Sequence, residues 1–359
     1  MKNLEPTKKE ASPSSQNSQA LPKNSTNLDK VTRISGYKRA EGNLFATNLP
    51  DDDKPCTVKS PKWLGEESIP ITYAEKEIHA NDLAQGKLRN CFFVAALAVI
   101  ANQNCDIIRN AIQDNGDETF TVTYYEKKGN TYRPIEITVT PEFPVREVYD
   151  KENKQWVANA DVPHIGPGDN ELWPRLMEKA YAQWKGKGNV GKGYEILNKG
   201  GYEGDVYEAL TGVDSEYVTD MTSLTLEKLG QMQDEGFAIS LSSLDTTDGD
   251  DKFYPVEGKG RLSTSHAYWI ESIDVSNDKI VIRNPWGYRS SSDYRLELSY
   301  DELTQNFDRY DINPLQKVSW VCKVFSADSA ICRTFAYFYK KMGRYFVKKD
   351  QAGSRNRDS

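Results

Sequence analysis

A thiol stands just ahead of an apolar run: Gln85-Gly86-Lys87-Leu88-Arg89-Asn90-Cys91-Phe92-Phe93 leads into Val94 to Ala101. The run predicts a helix with Cys91 in its first turn. The free N–H groups and the dipole at that end stabilise a thiolate, the nucleophilic form of cysteine. Gln85, six residues upstream, can supply an amide N–H to an oxyanion. Far downstream come Ser265-His266-Ala267-Tyr268 and Arg283-Asn284-Pro285-Trp286-Gly287. Cysteine, then histidine, then asparagine is a chain order in which a nucleophile, its base and an orienting group occur. Taken singly, each has a plainer reading: a cysteine before an apolar helix is usually core, a histidine an ordinary partner, an Asn-Pro a turn. Their joint occurrence in this order favours the chemical reading.

Further blocks strengthen it. Glu171-Leu172-Trp173 with Glu178-Lys179-Ala180-Tyr181, then Gly200-Gly201, lie between the cysteine and the histidine. Together the five blocks resemble the protease core of calpains, in that family's order, over roughly Gly42 to Asn313. This chain differs at Asn90, where the family has an acid, at Phe92, where it has tryptophan, and at Ser265, where it usually has glycine. The resemblance implies an α+β, papain-like two-lobe cysteine protease fold, with a helical lobe carrying Cys91 and a β-rich lobe carrying His266 and Asn284. It implies an endopeptidase that cuts proteins through a covalent acyl-enzyme. Cys91 would attack, His266 would hold and return the proton, Asn284 would orient the imidazole, and Trp286 would shield that bond. Gln85 and the Cys91 N–H would form the oxyanion hole. Gly201 and Ser265 would pair with extended substrate backbone, Gly201 giving room by its missing side chain and Ser265 narrowing the groove. A thiol acyltransferase or amidase uses the same triad, and a non-catalytic peptide-binding module would have lost a member of it.

Calcium enters by the same resemblance. Asp82, nine residues before the cysteine, and Glu171 match carboxylates of the family's first calcium site. Their plainer role is as helix-cap and surface carboxylates. The second site looks dismantled: Arg289 and Ser290 to Ser292 stand where family acids would, Arg295 replaces another, and Asp293 alone is left. The expectation is no cofactor for the chemistry, one calcium at most, and direct contacts from Arg289 or Arg295 in place of the second ion. Asp248, Asp250 and Asp251 lack a calcium-loop pattern and read as a solvated loop.

Composition bounds the rest. A net charge of −7 argues against nucleic acid as a partner. Five scattered cysteines fit a reducing compartment better than a disulfide framework, and Cys56, Cys105, Cys322 and Cys332 read as ordinary cysteines. No apolar stretch spans a bilayer and no signal peptide is visible, so the expected location is cytoplasmic or reached by a signal-independent route. Along the 359 residues, 1–36 read as a disordered segment, 37–198 as the helical lobe, 199–325 as the β-rich lobe and 326–359 as an aromatic and basic tail. That tail suits packing on the core better than a membrane-lying helix. Phe120 to Val139 alternates about Gly129-Asn130 and predicts a hairpin. Trp173, Leu176, Met177, Ala180, Tyr181 and Trp184 make one apolar helical face, with Glu178 and Lys179 off it, ending in the glycine-rich run 186–193. Residues 245–260 read as a polar, acidic loop, and 267–274, 279–284 and 294–298 as strands.

Overall fold

The structure, a computed structural model, describes residues 34–40, 44–45, 57–58, 71–72, 78–150, 155–159, 171–245, 253–287 and 294–315. It opens with strands β1 (Ile34–Arg39), β2 (Thr57–Val58) and β3 (Ile71–Thr72) and a 3-10 turn at Ala80–Asp82. Strand β1 begins inside the segment read as disordered. Helix α1 (Cys91–Gln103) starts at the cysteine. Phe92 to Ala101 are all buried, so α1 is apolar all round and forms the centre of the first core. Each such Leu or Ile contributes about 1.5–3 kcal/mol by leaving water.

Next come α2 (Asp106–Ala111), β4 (Ile112–Asp114) and the expected hairpin of β5 (Phe120–Lys128) and β6 (Thr131–Val139). Its register pairs Lys128 with Thr131, and Gly129 takes φ +62°, the left-handed turn that glycine adopts without strain. Cys105 does not continue the first helix. It caps α2, is buried, and is disulfide-bonded. The odd count of cysteines had hidden that bridge. Strand β7 (Glu142–Asp150) pairs with β1 on one side and with β8 (Gln155–Asn159) on the other, in a separate sheet.

Helix α3 (Trp173–Lys185) carries the expected apolar face, with Pro174 in its first turn. The tails and Cys56, Cys322 and Cys332 lie outside the described residues. Two residues assigned to the polar face are buried. Glu178 is 1% exposed and Lys179 6%. Lys179 Nζ donates to the carbonyls of Thr140 and Glu142, both at 2.7 Å. Asn90 Nδ2, just ahead of the cysteine, donates to Glu178 Oε1 at 2.7 Å. Helix α3 is therefore wedged between α1 and the strand region 140–142, and its charges are buried because each has a partner. The glycine-rich run does not remain a loop. It turns at Gly186, where a Cβ would meet the Asn189 carbonyl at 2.0 Å, into α4 (Val190–Leu197).

Helix α5 (Glu203–Thr211), β9 (Glu216–Val218), α6 (Leu226–Asp234) and β10 (Ala238–Ser243) follow. The region read as a polar loop contains a second hairpin, β11 (Phe253–Val256) with β12 (Gly260–Ser263). Its core contacts, Val256 and Leu262, are too few to outweigh its acidic and glycine-rich surroundings in sequence. Strands β13 (Ala267–Asp274), β14 (Lys279–Arg283) and β15 (Arg295–Leu298), helix α7 (Tyr300–Asn306) and β16 (Phe307–Asn313) complete the chain. An antiparallel six-stranded sheet runs β15-β14-β13-β10-β16-β9.

Alternation along β13 decides where the site forms. Ala267 and Trp269 join the first core, around α1, while Tyr268 and Ile270 join the second, with α6 and α7. One face of the sheet thus lies on α1. Its strand β13 starts beside His266, and α1 starts at Cys91. No helix among the described residues is long and apolar enough to cross a membrane.

The buried Glu178 makes a prediction. Burial raises its carboxyl well above the ordinary 4.5, against the Asn90 bond and Arg175. The fold then holds the proton more tightly than the unfolded chain does. The stabilising contribution is present at acid pH and is lost as pH climbs from about 4.5 through the raised value. Glu178→Gln should gain on wild type as pH rises through the range above about 4.5, by on the order of 1 kcal/mol or more in denaturant titrations. A constant difference across that range would contradict the assignment.

Candidate active site

Asn90 ends the loop before α1. Its carbonyl accepts from Phe93 N–H at 2.9 Å and Val94 N–H at 3.1 Å, so the helix begins at the cysteine and its first N–H groups stay free of the helical ladder. The Cys91 side chain is partly exposed, and the backbone amides of Ala267, Phe92 and Cys91 itself favour its thiolate. Ala267, the first residue of β13, thus acts electrostatically on the cysteine from the residue next to the histidine.

His266 is held from several sides. Its N–H donates to Ser243 Oγ at 3.0 Å, its carbonyl accepts from Ser243 N–H at 2.9 Å, and the Trp286 and Tyr268 rings pack on its imidazole at 4.9 and 5.2 Å. Its Nε2 lies 2.9 Å from Asn284 Oδ1. The Trp286 N–H also donates to that oxygen, at 3.0 Å. An oxygen already accepting there requires Nε2 to be the donor. Nδ1 is then the unprotonated nitrogen, able to accept a proton.

The two halves are joined beside these residues. Gln85 N–H donates to the Pro285 carbonyl at 2.8 Å, and Arg283 Nη1 donates to Asn81 Oδ1 at 2.8 Å. Gly287, at φ +81°, sits so close to Ala84 that a Cβ would meet its methyl at 2.8 Å. Arg283 Nη2 also reaches Glu271 at 2.6 Å, and Arg295 Nε meets the same carboxylate at 2.9 Å. That Arg295 contact is of the kind expected from sequence. Arg289 and residues 290–293 lie outside the described residues, as do Asp248, Asp250 and Asp251.

Gln85 Nε2 donates to the Leu88 carbonyl at 2.6 Å, which pins the amide and leaves its second hydrogen. Gly201 is near the cysteine for a different reason from the one expected. The space of its absent side chain is filled by the Phe92 ring, 2.7 Å from where a Cβ would stand. Ser265 holds φ +47°, a left-handed conformation that favours glycine and accounts for glycine being usual at that place. Ser243 and the Ala267 N–H were not singled out from sequence, where neither carries a signal.

The thiol also departs from expectation. Burial pushes Cys91 up from the ordinary 9.0, more than the neighbouring backbone amides pull it down, and the Glu203 charge adds to the rise. Burial holds His266 down to about 4 against its Asn284 bond. The helix end does act on the sulfur, but desolvation outweighs it, so the free site rests as neutral thiol and neutral imidazole.

Asp82 and Glu171 do meet. Trp173 Nε1 donates to Asp82 Oδ2 at 3.1 Å and to Glu171 Oε2 at 3.2 Å. Asp82 Oδ2 also accepts from His79 N–H at 2.7 Å, the capping-box role that was its plainer reading. Burial, then repulsion from Glu171, raises Asp82 well above the ordinary 3.8. Two facing carboxylates fit a cation chemically. Among the described residues no group of three or more His, Cys, Asp or Glu could hold one.

The chain matches the model of the calpain family cysteine proteases over residues 41–295. It belongs to that family. It is 24% identical over 304 residues to the calpain-type cysteine protease ADL1 of Oryza sativa subsp. japonica, across 72% of this chain and 12% of that protein. It is 27% identical to the calpain-type cysteine protease DEK1 of Zea mays over 235 residues, 58% of this chain and 9% of that one. Against calpain-9 of Mus musculus it is 26% identical over 219 residues, 57% of this chain and 28% of the mouse protein. The chain thus spans a small part of the length of these relatives.

The neutral resting pair predicts how the thiol reacts. Alkylation of Cys91 by iodoacetamide should be slow in the acid range and climb only in the alkaline range, following a thiol pushed up by burial. A rate plateau reaching down to about pH 4 would show a preformed thiolate–imidazolium pair instead.

Proposed function

We propose that the protein is a cysteine endopeptidase acting through Cys91, His266 and Asn284. The observation that carries this is the fixed tautomer. Asn284 Oδ1, anchored by Trp286 N–H, holds Nε2–H and leaves Nδ1 as the base, on the residue next to Ala267, whose backbone amide favours the Cys91 thiolate. The two cores that meet here support the papain-like plan of two lobes.

In the proposed reaction, Cys91 Sγ attacks the peptide carbonyl carbon while its proton passes to His266 Nδ1. The carbonyl oxygen gains the charge and accepts from Cys91 N–H and the second hydrogen of the Gln85 amide, an arrangement worth about 3–4 kcal/mol per donor. His266 returns the proton to the leaving amine, and the C–N bond breaks to leave a thioester. Water, deprotonated by His266, then releases the acid and regenerates the thiol. Proton transfer during attack suits a pair that rests neutral. Substrates are proteins in extended conformation, with backbone pairing near Gly201 and Ser265.

Asp82 and Glu171 would hold one calcium, which would supply charge neutralisation between the two carboxylates. The joining contacts run elsewhere, through Gln85–Pro285 and Arg283–Asn81. Alignment of the site therefore does not rest on that ion. Activity should survive chelator in part, and Asp82→Asn should leave that fraction unchanged. A steep, absolute calcium requirement would contradict this.

Cys91→Ala should abolish casein cleavage in a protein that keeps its melting transition, and His266→Ala should be nearly as severe. Asn284→Ala should cost less, since Asn284 orients the ring and takes no proton. Cleavage by Cys91→Ala at a comparable rate would end the protease reading.

A further inference from the structure

Large apolar side chains with substantial exposure are few among the described residues: Tyr202, Phe253 at 39%, and Val275. Phe253 stands out by its surroundings. It heads β11, where alternation sends Tyr254 and Val256 inward and leaves Phe253 and Pro255 outward. The hairpin does not need it for its own core. Tyr254 and Val256 pack there, and Tyr254 OH donates to the Asn306 carbonyl at 2.7 Å.

What the Phe253 ring touches is the active site. Its edge meets the Trp286 ring at 5.9 Å and 74°, and Trp286 in turn lies 4.9 Å from the His266 imidazole. Arg261 lies over the Phe253 ring at 5.0 Å. The hairpin base is tied to the histidine by one serine. Ser243 Oγ donates to the Ser263 carbonyl at 2.6 Å and accepts from His266 N–H at 3.0 Å. Phe253 is paired with Ser263 in the hairpin register. The ring is thus held at a fixed place relative to the imidazole, on a rigid strand pair.

Chemistry says which part of a substrate passes there. The imidazole hands its proton to the leaving amine, so the residues on the leaving-group side must run past His266. The surface beside His266 is Trp286, and the next surface outward is Phe253. We infer that Phe253, standing outward of Trp286, makes the leaving-group side of the site selective for a large aromatic or branched aliphatic side chain at the first residue after the scissile bond. Edge-to-face packing of aromatic rings is already the mode by which Phe253 and Trp286 contact each other, and a substrate ring can extend it. This inference rests on the acyl-enzyme reading above.

Partitioning of the acyl-enzyme tests it. The protein is acylated with a peptidyl p-nitrophenyl ester, and equal phenylalaninamide and glycinamide are offered together as acceptors. The ratio of the two aminolysis products reads the leaving-group side alone, and differences in the amount of active protein cancel within one sample. Wild type should favour phenylalaninamide by about tenfold or more, as one apolar pocket discriminates by contact area. Phe253→Ala should remove most of that preference, and Phe253→Leu should keep part of it. No preference in wild type, or an undiminished one in Phe253→Ala, would overturn this role of Phe253. Absence of any p-nitrophenol burst from wild type would instead remove the acyl-enzyme itself, and that role with it.

Discussion

Everything at this site depends on one packing contact, the face of β13 laid on α1. Because strand side chains alternate, Ala267 and Trp269 can press on the helix while Tyr268 and Ile270 build a second core behind. The small residues Ala95, Ala96, Ala98 and Ala101 are buried on the helix. The contact brings the start of the strand to the start of the helix, which is where the histidine and the cysteine stand. The Gln85–Pro285 hydrogen bond and the Arg283–Asn81 contact then fix the loops beside them. In this arrangement a reactive pair is a consequence of how two cores share one sheet.

The same close packing sets the electrostatics. A thiol at a helix end would ordinarily be lowered, yet here burial raises it and keeps the imidazole neutral. Around it lie other buried carboxyls. Glu178 holds Asn90 in place beneath the helix start. Glu203 is fully buried and raised by burial and by Asp311, with Arg309 reaching it at 3.3 Å. Glu178 bonds to Asn90 and Glu203 to Arg309, which offsets part of the cost of burying them.

Much of this was legible in the sequence, for physical reasons. The apolar run after Cys91, the alternation about Gly129-Asn130 and the period of Trp173 to Trp184 are local patterns, and they fold as read. The order of Gln85, Cys91, His266 and Asn284 singled out residues that the fold brings to the start of α1, the start of β13 and the loop after β14. What was lost depended on distant partners. Periodicity records apolar residues and cannot see that Lys179 will find two carbonyls, or that Glu178 will find Asn90. The bridge at Cys105 needs a partner far off in sequence. The hairpin bearing Phe253 was masked by acidic neighbours. The direction of the Cys91 shift could not be read at all, since desolvation is a property of the packed molecule.

The account stands or falls on Cys91 as the nucleophile served by His266. The most direct measurement is reaction with a peptidyl epoxide, followed by peptide mapping of the adduct. A single adduct on Cys91, strongly slowed in His266→Ala while the melting transition is kept, is the predicted result. Modification spread over other cysteines, or reaction at Cys91 that is indifferent to His266, would contradict it.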